Sequence, residues 1–191
     1  MQDIRNRILA EGQNLGHGIL KIDSFLNHQL DVRLMEQVGE EIASRFVNLQ
    51  PDCILTAEVS GIVPAAMAAL ALDNIPVVYA RKHKPITMSE PVYIEVAPSH
   101  TKGNEVNLMV SPEFLHSADR VLIVDDFLAS GRTIEALARI VRNAGAQLVG
   151  ISVVVEKSFE GGRLALEHWG VPIESIVEIV DMGEGRIILG T

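Results

Sequence analysis

A chain of 191 residues, 48% of them hydrophobic and 21% charged, is long enough to bury one core and reads as a single domain spanning 1–191. Its formal net charge of −9, with no run of Lys or Arg to offset it, repels polyanions, which excludes nucleic acid and anionic membranes as partners and requires any phosphate site to be local. The single cysteine, Cys53, permits no intrachain disulfide, and its place in an apolar run reads as the buried thiol of a cytoplasmic protein.

The opening segment MQDIRNRILAEG alternates charges with Ile4, Ile8 and Leu9 at helical spacing, unlike the apolar core of a signal peptide. Asp31 is placed to cap a helix whose apolar stripe is Leu34, Met35, Val38, Ile42 and Phe46. Short, mostly β-branched runs follow at 53–57, 77–80, 121–124 and 149–155, with helical patterns at 62–72 and 133–143. Such runs suit strands buried on both faces, and their alternation with helices predicts an α/β fold with a central, mostly parallel sheet flanked by helices. The most apolar pattern, 62–72, is about half the length of a bilayer span. Parallel sheets bind ligands at the carboxyl ends of their strands, so the segments after each strand carry the functional reading.

After 53–57 come Glu58, Val59, Ser60 and Gly61, then a helix start containing Pro64, which makes a tight strand–loop–helix N-terminus. Arg81, Lys82 and Lys84 surround His83 after 77–80, and three cations at one strand end of an acidic chain call for an anion. Polar and prolyl residues, two alternating segments and a Gly103-Asn104 turn signal then predict a projecting hairpin, either a plain surface excursion or a mobile lid. Beyond 121–124, Asp125 and Asp126 lead into Ala129, Ser130, Gly131, Arg132 and Thr133 and then a helix. Gly131 lets the backbone approach a ligand, Ser130 and Thr133 bring hydroxyls, and the first-turn N–H groups attract an anion. Two adjacent acids repel a phosphate, so they need hydroxyls or a cation. A ribose 5-phosphate satisfies both halves of the motif. The plain alternative is a strand ending in acids before a capped helix. A phosphoacceptor domain of receiver type is opposed by the short stretch of chain after Asp125. No Walker lysine and no G-x-G-x-x-G pattern is present. At the end of 149–155, after Glu156, Lys157 is placed to donate to a carbonyl of a ring ligand, with Phe159 either stacking on that ring or joining the core. The six histidines show no metal-ligand spacing, so no protein-built metal site is expected.

VLIVDDFLASGRT resembles the phosphoribosyl pyrophosphate (PRPP) signature of the type I phosphoribosyltransferases, with Arg132 where a small residue is common and therefore expected to point outward. The turn at 58–61 is similar to the family's pyrophosphate loop. LKIDSFLNHQLD, ARKHK and VVVEKSF, in that order, resemble the bacterial members of the family that act on xanthine. The resemblance implies the type I fold, with a flexible hairpin and a small hood built from 1–30 and about 157–191 over the base site. It also implies transfer of 5-phosphoribosyl from PRPP to xanthine in purine salvage. In that implied site Asp125 and Asp126 are the catalytic pair on the ribose, and Ala129, Ser130, Gly131, Arg132 and Thr133 bind the phosphate of PRPP. Ser60, Gly61, Arg81, Lys82 and Lys84 take pyrophosphate, while Leu20, Asn27 and Lys157 contact xanthine. Mg²⁺ carried mainly by PRPP and a cytoplasmic homodimer complete the expectation. Guanine or hypoxanthine as the preferred base, or a non-catalytic PRPP-sensing regulator, are the alternatives. A regulator needs a DNA-binding module, for which the roughly thirty residues before the first core helix are too few.

Overall fold

In the computed structural model, which describes residues 1–98 and 105–190, the β-branched runs become four neighbouring strands of a six-stranded sheet, three of them buried on both faces as expected and the fourth, at 77–80, an edge strand that stays partly exposed. The chain first forms helix α1 (Gln2–Glu11), the short antiparallel pair β1 (Gln13–Asn14) and β2 (Leu20–Lys21), a π-helical turn (Asp23–Asn27) and α2 (Val32–Phe46). Then come β3 (Cys53–Ala57), α3 (Ile62–Ala71), β4 (Val77–Ala80) and the antiparallel hairpin of β5 (Tyr93–Pro98) and β6 (Glu105–Val110). The remainder is β7 (Arg120–Leu128), α4 (Arg132–Asn143), β8 (Gln147–Lys157), α5 (Gly162–Leu166), β9 (Ile173–Asp181) and β10 (Ile188–Leu189). Strand order across the sheet is β10-β9-β8-β7-β3-β4, with β10 antiparallel to β9 and the other neighbours parallel, as the alternation of strands and helices predicts.

Side chains on β7 show how the sheet divides the core. Leu122 and Val124 pack in the cluster with α2 and α3, while Val121 and Ile123 pack in the cluster with α4, the two-residue period of a strand buried on both faces. The predicted cap is present, since Asp31 Oδ1 accepts from the Leu34 N–H at 3.1 Å, and the whole stripe from Leu34 to Phe46 is buried. Cys53 is buried, and burial, reinforced by Asp119 and Asp52, pushes its thiol up to about 12. None of the described helices is long and apolar enough to cross a membrane.

Two expectations need correction. Strands β7 and β8 run further than their apolar cores, pairing Asp125 with Val153, Phe127 with Val155 and Leu128 with Glu156, so Asp125, Asp126 and Lys157 are strand residues and not loop residues. Ladder bonds join backbones, and they continue under polar side chains as long as the neighbouring strand continues. The described arms of the hairpin, expected to stand off the surface, are instead packed on the body. Glu95 accepts from Arg139 Nε and Asn143 Nδ2 on α4, both at 2.8 Å, while Ala97, Leu108 and Val110 are buried in the α4 cluster. Arg81 and Met109 also exchange backbone hydrogen bonds of 2.9 Å, tying the hairpin to the end of β4. The expected Gly103-Asn104 turn lies outside the described residues.

The terminal segments meet. Ile4, Ile8, Leu20, Ile22 and Phe25 share a cluster with Val177 and Ile179 of β9, and Asn14 Nδ2 donates to the carbonyls of Met182 at 2.5 Å and Arg186 at 3.0 Å. Arg5 also donates to the Gly190 carbonyl.

Candidate active site

From β3 the chain crosses through α3 to β4 on one side, and from β7 it crosses through α4 to β8 on the other. The carboxyl ends of β3 and β7 therefore flank the point where strand order reverses, where an open parallel sheet leaves a crevice for a ligand. A cavity of about 180 Å³ lies there, and Glu58, Ser60, Lys82, Asp125, Asp126 and Thr133 are among its walls.

Successive strand residues face opposite sides of a sheet, yet both acids reach this cavity because it sits across the strand end. Asp125 Oδ1 accepts from the Asp126 N–H, and Asp126 Oδ1 accepts from the Phe127 N–H, each at 3.0 Å. Asp125 is only 5% exposed. Burial, and then the charge of Asp126, hold its carboxyl well above the ordinary 3.8, with the Asp126 N–H and Lys82 pulling the other way. A buried acid of this kind is satisfied by a ligand hydroxyl more readily than by an anion.

Gly61 makes this crowding possible. A Cβ there would lie 2.4 Å from both Asp125 Oδ1 and Thr56 Oγ1, so the turn after β3 packs directly on the acid. On the other wall, Gly131 takes a left-handed φ of 79° to enter α4, whose start has no side-chain cap. A helix start of this kind favours an anion at its first turn. Ala129 and Thr133 line the cavity, Ser130 and Gly131 form the turn, and Arg132 is exposed.

These features match a known family. A model of the phosphoribosyl transferase domain matches residues 23–181. A protein named xanthine phosphoribosyltransferase from Deinococcus deserti is 48% identical over 189 residues, covering 99% of this chain and 97% of that protein. One of the same name from Geobacillus thermodenitrificans is 44% identical over 187 residues, covering 98% and 96%. The chain belongs to the phosphoribosyltransferase family. Among solved structures, the adenine phosphoribosyltransferase of Rhodothermus marinus superposes with a TM-score of 0.70 at 25% identity, over 86% of this chain and 88% of that one. That of Thermoanaerobacter pseudethanolicus gives 0.67 at 26% identity, over 78% and 82%. The architecture is the type I phosphoribosyltransferase fold.

Within that fold, the three cations expected to share one anion are not equivalent. Lys82 lines the cavity. Arg81 Nε lies 2.7 Å from Glu58 Oε2, close enough for an ion pair but not aligned for a hydrogen bond, and Glu58 Oε1 also accepts from the Lys82 N–H at 2.6 Å. Lys84 stands outside the cavity lining, paired with Glu90.

The three residues expected at the base stand on the side of β7 facing the N-terminal segment. Leu20 is buried in the cluster against which Phe127 packs. Asn27, at the end of the π-helical turn, donates from Nδ2 to Asp126 Oδ2 at 3.0 Å, so the residue expected to read the base touches an acid expected on the ribose. Lys157 Nζ donates to the Gly18 carbonyl at 2.7 Å and to Glu160 Oε1 at 3.2 Å, and lies 5.5 Å from the centre of the Phe127 ring. Phe159 is 43% exposed, outside the core.

Sequence reasoning missed Glu160 as a partner of Lys157, Phe127 as the ring beneath it, and Glu58 as the carboxylate that orients Arg81 and Lys82. None of the three carried a sequence signal strong enough to pair them, and 24 positions separate Glu58 from Lys82. A large apolar cavity of about 510 Å³, lined by Tyr79, Met88, Val110 and Phe114 among others, lies against β4 and the hairpin and touches neither acid. The smaller polar cavity holds the convergent chemistry, so function is assigned there.

Proposed function

We propose that the protein transfers the 5-phosphoribosyl group of PRPP to xanthine, releasing pyrophosphate and forming xanthosine 5′-monophosphate in purine salvage. The observation that carries this reading is the acid pair at the strand-order switch, set between the uncapped start of α4 and the turn from Glu58 to Gly61. The names of the relatives at 48% and 44% identity support xanthine as the base.

In this reading the α4 N-terminus with Ala129, Ser130, Gly131, Arg132 and Thr133 binds the 5-phosphate. Asp125 and Asp126 take the ribose hydroxyls and stabilise the positive charge that develops on the sugar as its bond to pyrophosphate breaks. Ser60, Gly61 and Lys82 receive the leaving group, with Arg81 and Lys84 as outer cations. Lys157 donates to a purine carbonyl, Asn27 offers its amide to the dioxopurine edge, and Leu20 lies against the ring. Mg²⁺, held chiefly by oxygens of PRPP, supplies charge neutralisation to the pyrophosphate, and the hard oxygen donors at the cavity suit such a cation. We read 1–30 and about 157–191 as a hood over the base, a reading supported by the contacts of Asn14 and Arg5 with the last ten residues. A cytoplasmic homodimer is supported by the buried Cys53 thiol and by exposed Tyr79, Ile86 and Phe114 beside the large apolar cavity.

The test is pyrophosphate release from PRPP and Mg²⁺ with each of xanthine, guanine, hypoxanthine and adenine. Xanthine is expected to give the highest kcat/KM. Adenine is expected to be rejected, because it presents an amino donor where xanthine has its 6-oxo acceptor, so Lys157 gains no base contact in exchange for Gly18 and Glu160. Preference for guanine or hypoxanthine would replace xanthine as the substrate, and PRPP binding without turnover of any base would support the regulator.

A further inference from the structure

Glu156 is 1% exposed, and a carboxylate at that depth requires a partner. Arg163 supplies one. Its Nε donates to Glu156 Oε1 at 2.9 Å, one terminal nitrogen donates to Oε2, and the other donates to the Ile173 carbonyl at 2.6 Å. This fork joins β8, α5 and the start of β9. It lies outside the cavity lining and has no part in the chemistry proposed above.

What the fork holds is informative. On β8, Glu156 immediately precedes Lys157 and pairs in register with Leu128, the residue before Ala129. On α5, Arg163 follows Gly162, whose backbone packs against the phosphate loop so closely that a Cβ on it would lie 2.2 Å from the Ala129 carbonyl oxygen and 2.8 Å from Gly131 N. From the other side, a Cβ on Gly131 would lie 3.0 Å from the Gly162 carbonyl oxygen. One ion pair, with its carboxylate buried and its guanidinium partly exposed, therefore ties together the root of the phosphate loop, the residue that backs it and the strand end carrying Lys157.

We propose that the Glu156–Arg163 pair is a positioning clamp that sets the 5-phosphate loop and Lys157 relative to one another, so that the PRPP and base subsites share one support. The inference rests on the roles given to that loop and to Lys157 under Proposed function. A guanidinium is needed because only its planar fork reaches both carboxylate oxygens and a carbonyl at once, and an ammonium cannot make that pattern.

The test compares Arg163→Lys, Arg163→Gln and the double variant Glu156→Gln with Arg163→Gln. Arg120→Gln serves as a matched control. Arg120 makes a similar fork, to the Leu49 and Gln50 carbonyls and Gln147, but at the opposite end of β7. The PRPP Kd is read by calorimetry with Mg²⁺, and the xanthine KM and kcat by pyrophosphate release. In folded Arg163→Lys, the PRPP Kd and the xanthine KM are both expected to rise about tenfold. Arg120→Gln is expected to lower Tm without moving either constant. If Arg163→Gln fails to fold because Glu156 is left unpaired, the double variant removes that charge and is expected to show the same two rises. A folded Arg163 variant, single or double, in which either constant stays within about twofold of the parent overturns the clamp. Parent protein that binds PRPP but does not turn over xanthine defeats the substrate reading alone, and the PRPP Kd then decides for or against the clamp. Parent protein that does not bind PRPP overturns both.

Discussion

Replacing Gly61 with alanine adds one methyl group at the most crowded point of the site. Gly61 has a φ of −67° and a ψ of −20°, which alanine adopts without strain, so the effect of the substitution is purely steric. The new carbon would sit 2.4 Å from Asp125 Oδ1 and Thr56 Oγ1 and 3.3 Å from the Ala57 carbonyl oxygen. Normal van der Waals separation is about 3.5 Å, so an oxygen of Asp125 or the whole turn has to move by about 1 Å. A displacement of that size at a reacting centre costs roughly 100-fold in rate, whereas one overpacked methyl costs about 1–3 kcal/mol of stability. Gly61→Ala is therefore expected to fold, with a modestly lowered Tm, and to lose about two orders of magnitude in kcat/KM for PRPP. Adding Thr56→Ala removes one of the two clashes and leaves the one with Asp125, so the double variant should remain impaired. Steady-state pyrophosphate release and thermal melts measure both quantities. A folded Gly61→Ala protein within about threefold of parental kcat/KM would refute the claim that the turn positions Asp125.

Three further substitutions test other parts of the site. Asp126→Asn keeps the shape of the side chain while removing its charge, and turnover is expected to fall at least about tenfold with the fold intact by circular dichroism. Because burial raises the pKa of Asp125, the folded protein holds that proton at pH values where the unfolded chain has released it, so this group costs stability increasingly as pH rises above about 4. Asp125→Asn should therefore raise Tm at pH 7.5 and lose that advantage as the melt is repeated toward pH 4, while abolishing activity; an unchanged Tm difference across that range would contradict the pKa direction. Lys157→Gln removes the charged donor that the proposed function assigns to a purine carbonyl, and the xanthine KM is expected to rise about 10- to 100-fold. Equal xanthine KM values in Lys157→Gln and the parent would remove Lys157 from the base site.

Much of this protein was legible from residue order alone, because the signals are local. The buried strands announce themselves as β-branched runs, Asp31 and the stripe it caps lie within a few turns of one another, and a strand, two acids, a glycine loop and a helix start occupy consecutive positions from Val121 to Thr133. Composition required any anion site to be local, since an acidic chain does not attract anions globally.

Tertiary structure alone decided which groups meet. That Glu58 holds Arg81 and the Lys82 backbone, that Asn27 reaches Asp126 from 99 positions away, and that Lys157 rests on the Gly18 carbonyl are contacts between distant segments, and no periodicity encodes them. The ends of β7 and β8 were invisible for a related reason. An apolar pattern reports where side chains are buried, whereas a strand ends where its neighbour stops offering backbone partners. Gly61 shows both sides of the division: the sequence marks it as a turn residue after a strand, but only the folded sheet brings Asp125 to within a methyl group of its Cα and makes any larger residue there a threat to the acid pair.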